Sequence, residues 1–265
     1  MPALFSKVAV VGVGLIGGSF GMALRRTNLA SEIIGVDLCA ETLRLAVERE
    51  AIDQGFYELS LGVKDADLVV LAAPISYNLE LLQKMKPYLK EGAIVTDVGS
   101  TKGDFVQKAE LLLSPDQFFV GGHPMAGSEI GGIKRADPYL FENAYYLLTV
   151  TEKTDPKALD LVKSLAEGIG GRVLLVDPDD HDLMAAAISH LPHLIASTLV
   201  NTAAEINEKL PRTFSLAAGG FRDTTRIASG DPTLWKDICF NNKDKLLELI
   251  AIFKKELALF EQYLE

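Results

Sequence analysis

The sequence predicts an α/β chain: a parallel sheet covered by helices on both faces, followed by an all-helical domain. Three observations carry that prediction. Short β-branched runs alternate with amphipathic stretches through the first 176 residues, a glycine-rich turn follows the first of those runs, and the strand pattern stops after Asp177-Pro178. Near-continuous apolar strands separated by helical patterns mark a parallel sheet buried on both faces.

Strands are expected at Lys7 to Val11, Ile33 to Asp37, Leu68 to Ala72, Ile94 to Val98, Phe118 to Gly121, Tyr145 to Val150 and Arg172 to Val176. Helical patterns fill the gaps, for example Ala40 to Glu50 and Asn78 to Met85. From Asp179 to Leu210 the chain reads as one long helical stretch that Pro192 should kink. A glycine-rich loop, Ala217 to Phe221, precedes a last helix from Lys243 to Leu264. That helix repeats Leu246, Ile250, Phe253, Leu257, Phe260 and Leu264 at spacings of three and four. The domains are therefore placed at 1–176 and 177–265.

Composition narrows the function. The 265 residues are 48% hydrophobic and 23% charged, a globular profile, and 26 Lys and Arg against 36 Asp and Glu give a net charge of −10. A general nucleic-acid surface is not expected, and an anionic ligand would need a local cluster of cations. Cys39 and Cys239 stand 200 positions apart with no CxxC, which excludes a disulfide framework and a cysteine zinc site and suits the cytoplasm. The N-terminus runs directly into a strand without a leader pattern, and no uninterrupted apolar run approaches the roughly 18 residues of a membrane span.

Gly12-Val13-Gly14-Leu15-Ile16-Gly17 lies between the first strand and a helix. In such a turn Gly12 makes the bend, Gly14 lets backbone approach a pyrophosphate, and Gly17 packs helix on strand. The helix start at Leu15 and Ile16 then offers N–H groups and a positive dipole end to phosphate. Asp37 ends the second strand, 20 residues past Gly17, where a carboxylate accepts from an adenosine ribose diol and repels a 2′-phosphate. A Rossmann-type domain binding NAD rather than NADP is expected.

Ligands of open α/β sheets lie beyond the carboxyl ends of the strands. The third strand ends in Ala72-Ala73-Pro74, the fourth in Asp97-Val98-Gly99-Ser100-Thr101-Lys102, and the fifth in Gly121-Gly122-His123-Pro124. Ala73 and Pro74 should border the cofactor, and Ser100, Lys102 and His123 should share one crevice with the nicotinamide. Ser100 is either a helix N-cap or a catalytic support, and the two roles are compatible. In the helical half, Ser189-His190-Leu191-Pro192-His193 lacks a third ligand at metal spacing, so no metal is expected. His190 fits a structural role at the kink. Arg222 and Arg226, with Asp223 between them, suit a carboxylate clamp or interdomain salt bridges.

The runs VVGVGLIGGS, TDVGSTK, GGHPMAGSE, DHDLMAAAISHLPH and GGFRDTTRIASGDPTLW resemble the prephenate/arogenate dehydrogenases of tyrosine biosynthesis over essentially the whole chain. The resemblance implies a Rossmann-type domain and a helical dimerisation domain, a homodimer, and an active site at the domain interface. It also implies oxidative decarboxylation of prephenate by NAD⁺ to 4-hydroxyphenylpyruvate. By resemblance His123 is the base on the ring hydroxyl, Ser100 its hydrogen-bonding companion and Arg226 the carboxylate ligand. His193 and Arg222 fall at the substrate site, and Glu129, Asp223 and Trp235 at positions that shape or gate access. The chain begins at the dinucleotide strand and stops at the last amphipathic helix, so neither a fused chorismate mutase nor a C-terminal regulatory domain is expected. Arogenate is the alternative substrate. Another hydroxyacid or imine Rossmann oxidoreductase would need a catalytic lysine in the helical half, where the kinked helix offers His190 and His193 instead, and a non-catalytic NAD sensor would leave His123, Ser100 and Arg226 without a purpose.

Overall fold

The computed structural model describes residues 3–265, which divide into two compact units, one ending at His181 and the other spanning Asp182–Glu265. The first opens with β1 (Phe5–Val11), α1 (Leu15–Thr27), β2 (Ala30–Val36), α2 (Ala40–Glu48), β3 (Gln54–Phe56) and α3 (Leu59–Gly62). It continues through β4 (Leu68–Leu71), α4 (Ile75–Met85), β5 (Ile94–Asp97), α5 (Gly103–Leu112) and β6 (Phe118–Val120). These six strands form one parallel sheet in the order β3-β2-β1-β4-β5-β6. The order reverses between β1 and β4, which makes the crevice there the natural nucleotide site.

Alternation along β1 explains why helices cover both faces. Val8 and Val10 enter one apolar cluster with Phe20, Leu24 and Ile33, whereas Ala9 and Val11 enter another with Leu82, Met85 and Val95. All four β1 residues are buried, as are all of β4 and β5. Burying this much apolar surface on two faces is the main term holding the unit together.

The remaining strands depart from the single parallel sheet. β7 (Gly122–Pro124), β8 (Tyr145–Thr149) and β9 (Arg172–Val176) form a separate three-stranded sheet, with β7 antiparallel and β9 parallel to β8. The expected fifth strand, Phe118 to Gly121, is β6 and ends at Val120, and the loop expected after it forms a strand of its own, β7, beyond Gly121. A Cβ on Gly121 would lie 2.3 Å from the Thr149 hydroxyl, and one on Gly122 would lie 2.7 Å from the Asp97 carbonyl oxygen. Only glycines let the chain cross between sheets so close to other atoms. Between β8 and β9, α6 (Pro156–Gly168) starts with Pro156 at N1, and Asp155 caps it by accepting from the Lys157 and Ala158 N–H groups.

A 32-residue helical stretch, Pro178–Lys209, runs from the end of the first unit into the second. It comprises α7 (Pro178–Ala185), a π turn (Ala186–His190) and α8 (Leu191–Lys209). Pro192, the residue expected to kink this stretch, falls in the first turn of α8, directly after the π turn. By length and composition alone this stretch could cross a membrane, with a mean hydropathy of 1.5 in its most apolar window. Then follow α9 (Gly219–Thr225), α10 (Pro232–Asn241), capped by Asp231, and α11 (Lys243–Leu264). Helix α11 spans the expected residues but buries only Leu246, and Leu257, Phe260 and Leu264 stay exposed.

Candidate active site

The glycine turn sits at the β1–β4 switch point. Gly12 has φ +91°, and a Cβ there would lie 2.7 Å from the backbone of Ala72 and Ala73, so the turn is pressed against the end of β4. A Cβ at Gly17 would lie 2.0 Å from the Gly12 carbonyl oxygen. By contrast a Cβ at Gly14 would meet nothing within 4 Å, which leaves the N-terminal end of α1 open to an approaching group. Leu15 is buried and Ile16 half-buried at the start of α1, and Pro74 caps α4 across the crevice.

Asp37 follows β2 and does more than end it. One carboxylate oxygen accepts from the Val13 N–H at 3.0 Å and the other from the Cys39 N–H at 2.9 Å. It therefore braces the glycine turn, and each oxygen keeps a lone pair for a further donor. The turn and Asp37 together fit the adenosine and pyrophosphate of a dinucleotide.

Asp97, the last residue of β5, organises the next two loops. Its carboxylate accepts from the Gly99 N–H at 2.9 Å, the Gly122 N–H at 3.2 Å and the Lys102 ammonium. Both Asp97 and Lys102 are 0% exposed. The carboxylate thus ties the loop carrying Ser100 to the strand carrying His123. Lys102 was expected in the crevice with them. The structure buries it beneath, because a buried carboxylate needs a countercharge. Ser100 is half-buried and is not the N-cap of α5, a position that Lys102 takes.

His123 lies on β7, opposite Leu147 of β8, and not in a loop. It is 8% exposed, and its Nδ1 is 2.8 Å from Nε2 of His181, a residue the sequence reading passed over. The two rings have centroids 5.0 Å apart. His181 stands among Asp179, Asp180 and Asp182, so in sequence it reads as part of a solvated acidic helix start. Its burial at 1% exposed is visible only in the fold. Below β7, burial and then the Asp97 charge push the Tyr146 phenol well above its ordinary range, so it stays neutral. Glu129 is half-buried in the segment after β7.

In the second unit, His193 stacks flat on Trp235, with centroids 3.6 Å apart and planes 8° from parallel. Burial lowers its pKa below the ordinary imidazole value, so the ring is neutral at pH 7. His190 Nδ1 lies 3.2 Å from the Asn242 side-chain amide, which also donates to the Asp182 carbonyl at 2.7 Å. That pairing ties the start of α11 to the π turn. Arg222, Asp223 and Arg226 are exposed on α9 and just after it. Among the described residues, no group of three or more His, Cys, Asp or Glu side chains is placed to hold a metal ion.

A parallel sheet in this order, with a glycine turn at its switch point and a carboxylate bracing that turn, defines a nucleotide-binding dehydrogenase fold. Two family models match the chain: the prephenate dehydrogenase nucleotide-binding domain over residues 20–175, and the prephenate dehydrogenase dimerization domain over residues 177–265. The chain belongs to the prephenate dehydrogenase family and is an oxidoreductase of that kind. It is 38% identical to prephenate dehydrogenase of Bacillus subtilis, over 100% of this chain and 72% of the relative. A solved prephenate dehydrogenase from Aquifex aeolicus, in complex with hydroxyphenyl propionate and NAD⁺, is 38% identical with a TM-score of 0.91, covering 98% of this chain and 90% of that one. Synechocystis arogenate dehydrogenase is also 38% identical, with a TM-score of 0.83 over 97% and 91% of the two chains.

Proposed function

We propose that this protein oxidatively decarboxylates prephenate to 4-hydroxyphenylpyruvate with NAD⁺, using residues 1–176 as the cofactor domain and 177–265 as the substrate and dimerisation domain. The observation that carries the reading is the anchoring of His123 and the Ser100 loop to one carboxylate, Asp97, at the end of the sheet that carries the nucleotide turn. Gly12, Gly14, Leu15, Ile16 and Gly17 would hold the pyrophosphate, Asp37 the adenosine ribose, and Ala73, Pro74 and Ser100 the nicotinamide end. Bound there, NAD⁺ supplies a hydride acceptor.

His123 accepts the proton of the ring hydroxyl as the carbon bearing it loses hydride, so that oxygen becomes a carbonyl. Departure of the ring carboxylate as carbon dioxide then leaves an aromatic phenolate, which takes a proton back. Ser100 orients the same hydroxyl. Arg226 pairs with a substrate carboxylate through its planar fork, Arg222 adds positive charge nearby in sequence, and His193 and Glu129 contribute to substrate binding. Aromatisation drives the reaction forward, so the protein's task is mainly positioning and proton handling.

The second reading is arogenate dehydrogenation. The Synechocystis arogenate dehydrogenase supports it, since its sequence identity to this chain equals that of the prephenate enzyme from Aquifex. NADH formation with prephenate and with arogenate, each paired with NAD⁺ and NADP⁺, tests both readings. Prephenate with NAD⁺ should turn over fastest. Faster turnover of arogenate would install the second reading, and equal use of NADP⁺ would remove the role given to Asp37.

Arg226→Ala should raise KM more than it lowers kcat, because the carboxylate it binds is already charged in the ground state. The lost charge-assisted bond corresponds to about 1.5–3 kcal/mol, roughly ten- to hundred-fold in affinity. A lower melting temperature with unchanged KM would assign Arg226 to structure instead.

The exposed apolar stripe of α11 and the dimerization-domain match support a homodimer. Light scattering at micromolar concentration should report about twice 28.7 kDa. A clean monomer would refute the dimer.

A further inference from the structure

We propose that His181 is a positioning residue that fixes the tautomer of His123 through the Nδ1–Nε2 hydrogen bond. The inference rests on the reading of His123 as the proton acceptor and adds the group that makes it competent.

The geometry leaves two neutral arrangements for a bond between these nitrogens. Either His123 carries its proton on Nδ1 and donates to His181 Nε2, or His181 carries its proton on Nε2 and donates to His123 Nδ1. In the second arrangement the remaining His123 proton sits on Nε2, and the ring has no lone pair to offer a substrate hydroxyl. Only the first makes His123 a base, and it does so at Nε2. It requires His181 to hold its own proton on Nδ1 and present Nε2 as an acceptor. The hydrogen bond at one ring nitrogen thus sets the chemistry of the other.

The same bond serves after the proton arrives. Imidazolium at His123 keeps Nδ1–H pointing at the His181 lone pair, so the new charge falls on an existing hydrogen bond. Two protonated rings would set N–H against N–H across 2.8 Å, so the pair holds at most one proton along that line. An imidazole, unlike a carboxylate, brings no negative charge, so His181 orients the base without locking a full anion beside it. Its burial at 1% exposed, at the first turn of α7, holds it in place.

The test uses the full chain with His181→Phe, which keeps a planar ring but removes the acceptor, and His181→Gln, whose side-chain carbonyl can replace Nε2. His181→Leu is a second acceptor-free variant should Phe prevent folding. Long-range ¹H–¹⁵N correlation spectra of the imidazoles, with His123 assigned by the signals lost in His123→Asn, read the tautomer directly. The wild type should show a protonated Nδ1 and an unprotonated Nε2 at His123. Phe or Leu should move the proton to Nε2 and lower kcat roughly ten- to hundred-fold, with KM and NAD⁺ affinity within about two-fold of wild type. Gln should keep the wild-type tautomer and most of the rate. An unchanged His123 tautomer in the acceptor-free variants overturns the proposal, as does an equal loss of rate with Gln and with Phe. A tautomer that shifts while kcat stays at the wild-type value supports the positioning role and overturns the reading of His123 as the base.

Discussion

His123→Asn is expected to lose roughly 10²- to 10⁴-fold in kcat while NAD⁺ affinity stays near the wild-type value. Asparagine fits the β7 position opposite Leu147 and can still hydrogen-bond, but it cannot take a proton. The hydroxyl would then have to ionise without a base as hydride leaves, and a positioned base accounts for a loss of this size. In the wild type, kcat should rise with pH as the His123 imidazole becomes neutral, and the variant should lose that limb. Ser100→Ala should cost less, since it removes orientation and leaves the base. A folded His123→Asn enzyme with near-wild-type turnover would place the base elsewhere, with His193 the next candidate.

Lys102→Met should be the most destabilising substitution near the site. It strands the Asp97 carboxylate in a fully buried position, and removing one partner of a buried ion pair costs about 3–5 kcal/mol. For a unit of this size, that lowers the melting temperature by on the order of 10 °C. Asp97→Leu combined with Lys102→Met removes both charges and should recover part of the loss, as apolar replacements of buried pairs often do. Recovery should stay incomplete, because Asp97 also accepts from the Gly99 and Gly122 N–H groups and those donors would then lack a partner. Differential scanning calorimetry of the single and double variants checks both statements. A single Lys102→Met variant as stable as wild type would show that the pair contributes nothing net. The double variant should also turn over slowly even where it is folded, since nothing then ties the Ser100 loop to β7.

Most of the nucleotide half was legible in sequence because its signals are local. Periodicity located β1, β2, β4 and β5 to within a few residues, and α11 at both ends. The glycine turn was legible because each glycine answers a separate steric demand, and two of those demands are visible at Gly12 and Gly17. Three-residue β3 was missed, since three residues show no period. The helix α4 begins at Ile75, earlier than expected, because Pro74 serves as its cap.

The sequence by itself determined the class of fold, the family and the residue types available for chemistry, since alternation, glycine spacing and motif runs are properties of neighbours along the chain. Only the tertiary structure decided which of those residues meet. The crossing at Gly121-Gly122 moved His123 from a loop onto a strand of a second sheet. Asp97, five residues before Lys102 and 25 before Gly122, drew the lysine out of the crevice and the two loops together. His181, 58 residues from His123, became its hydrogen-bond partner. The crossing is steric, made possible by two glycines, and the other two cases share one physical reason. A buried charge or ring nitrogen must find a partner, and the partner is chosen by distance in the folded chain, which no local pattern encodes.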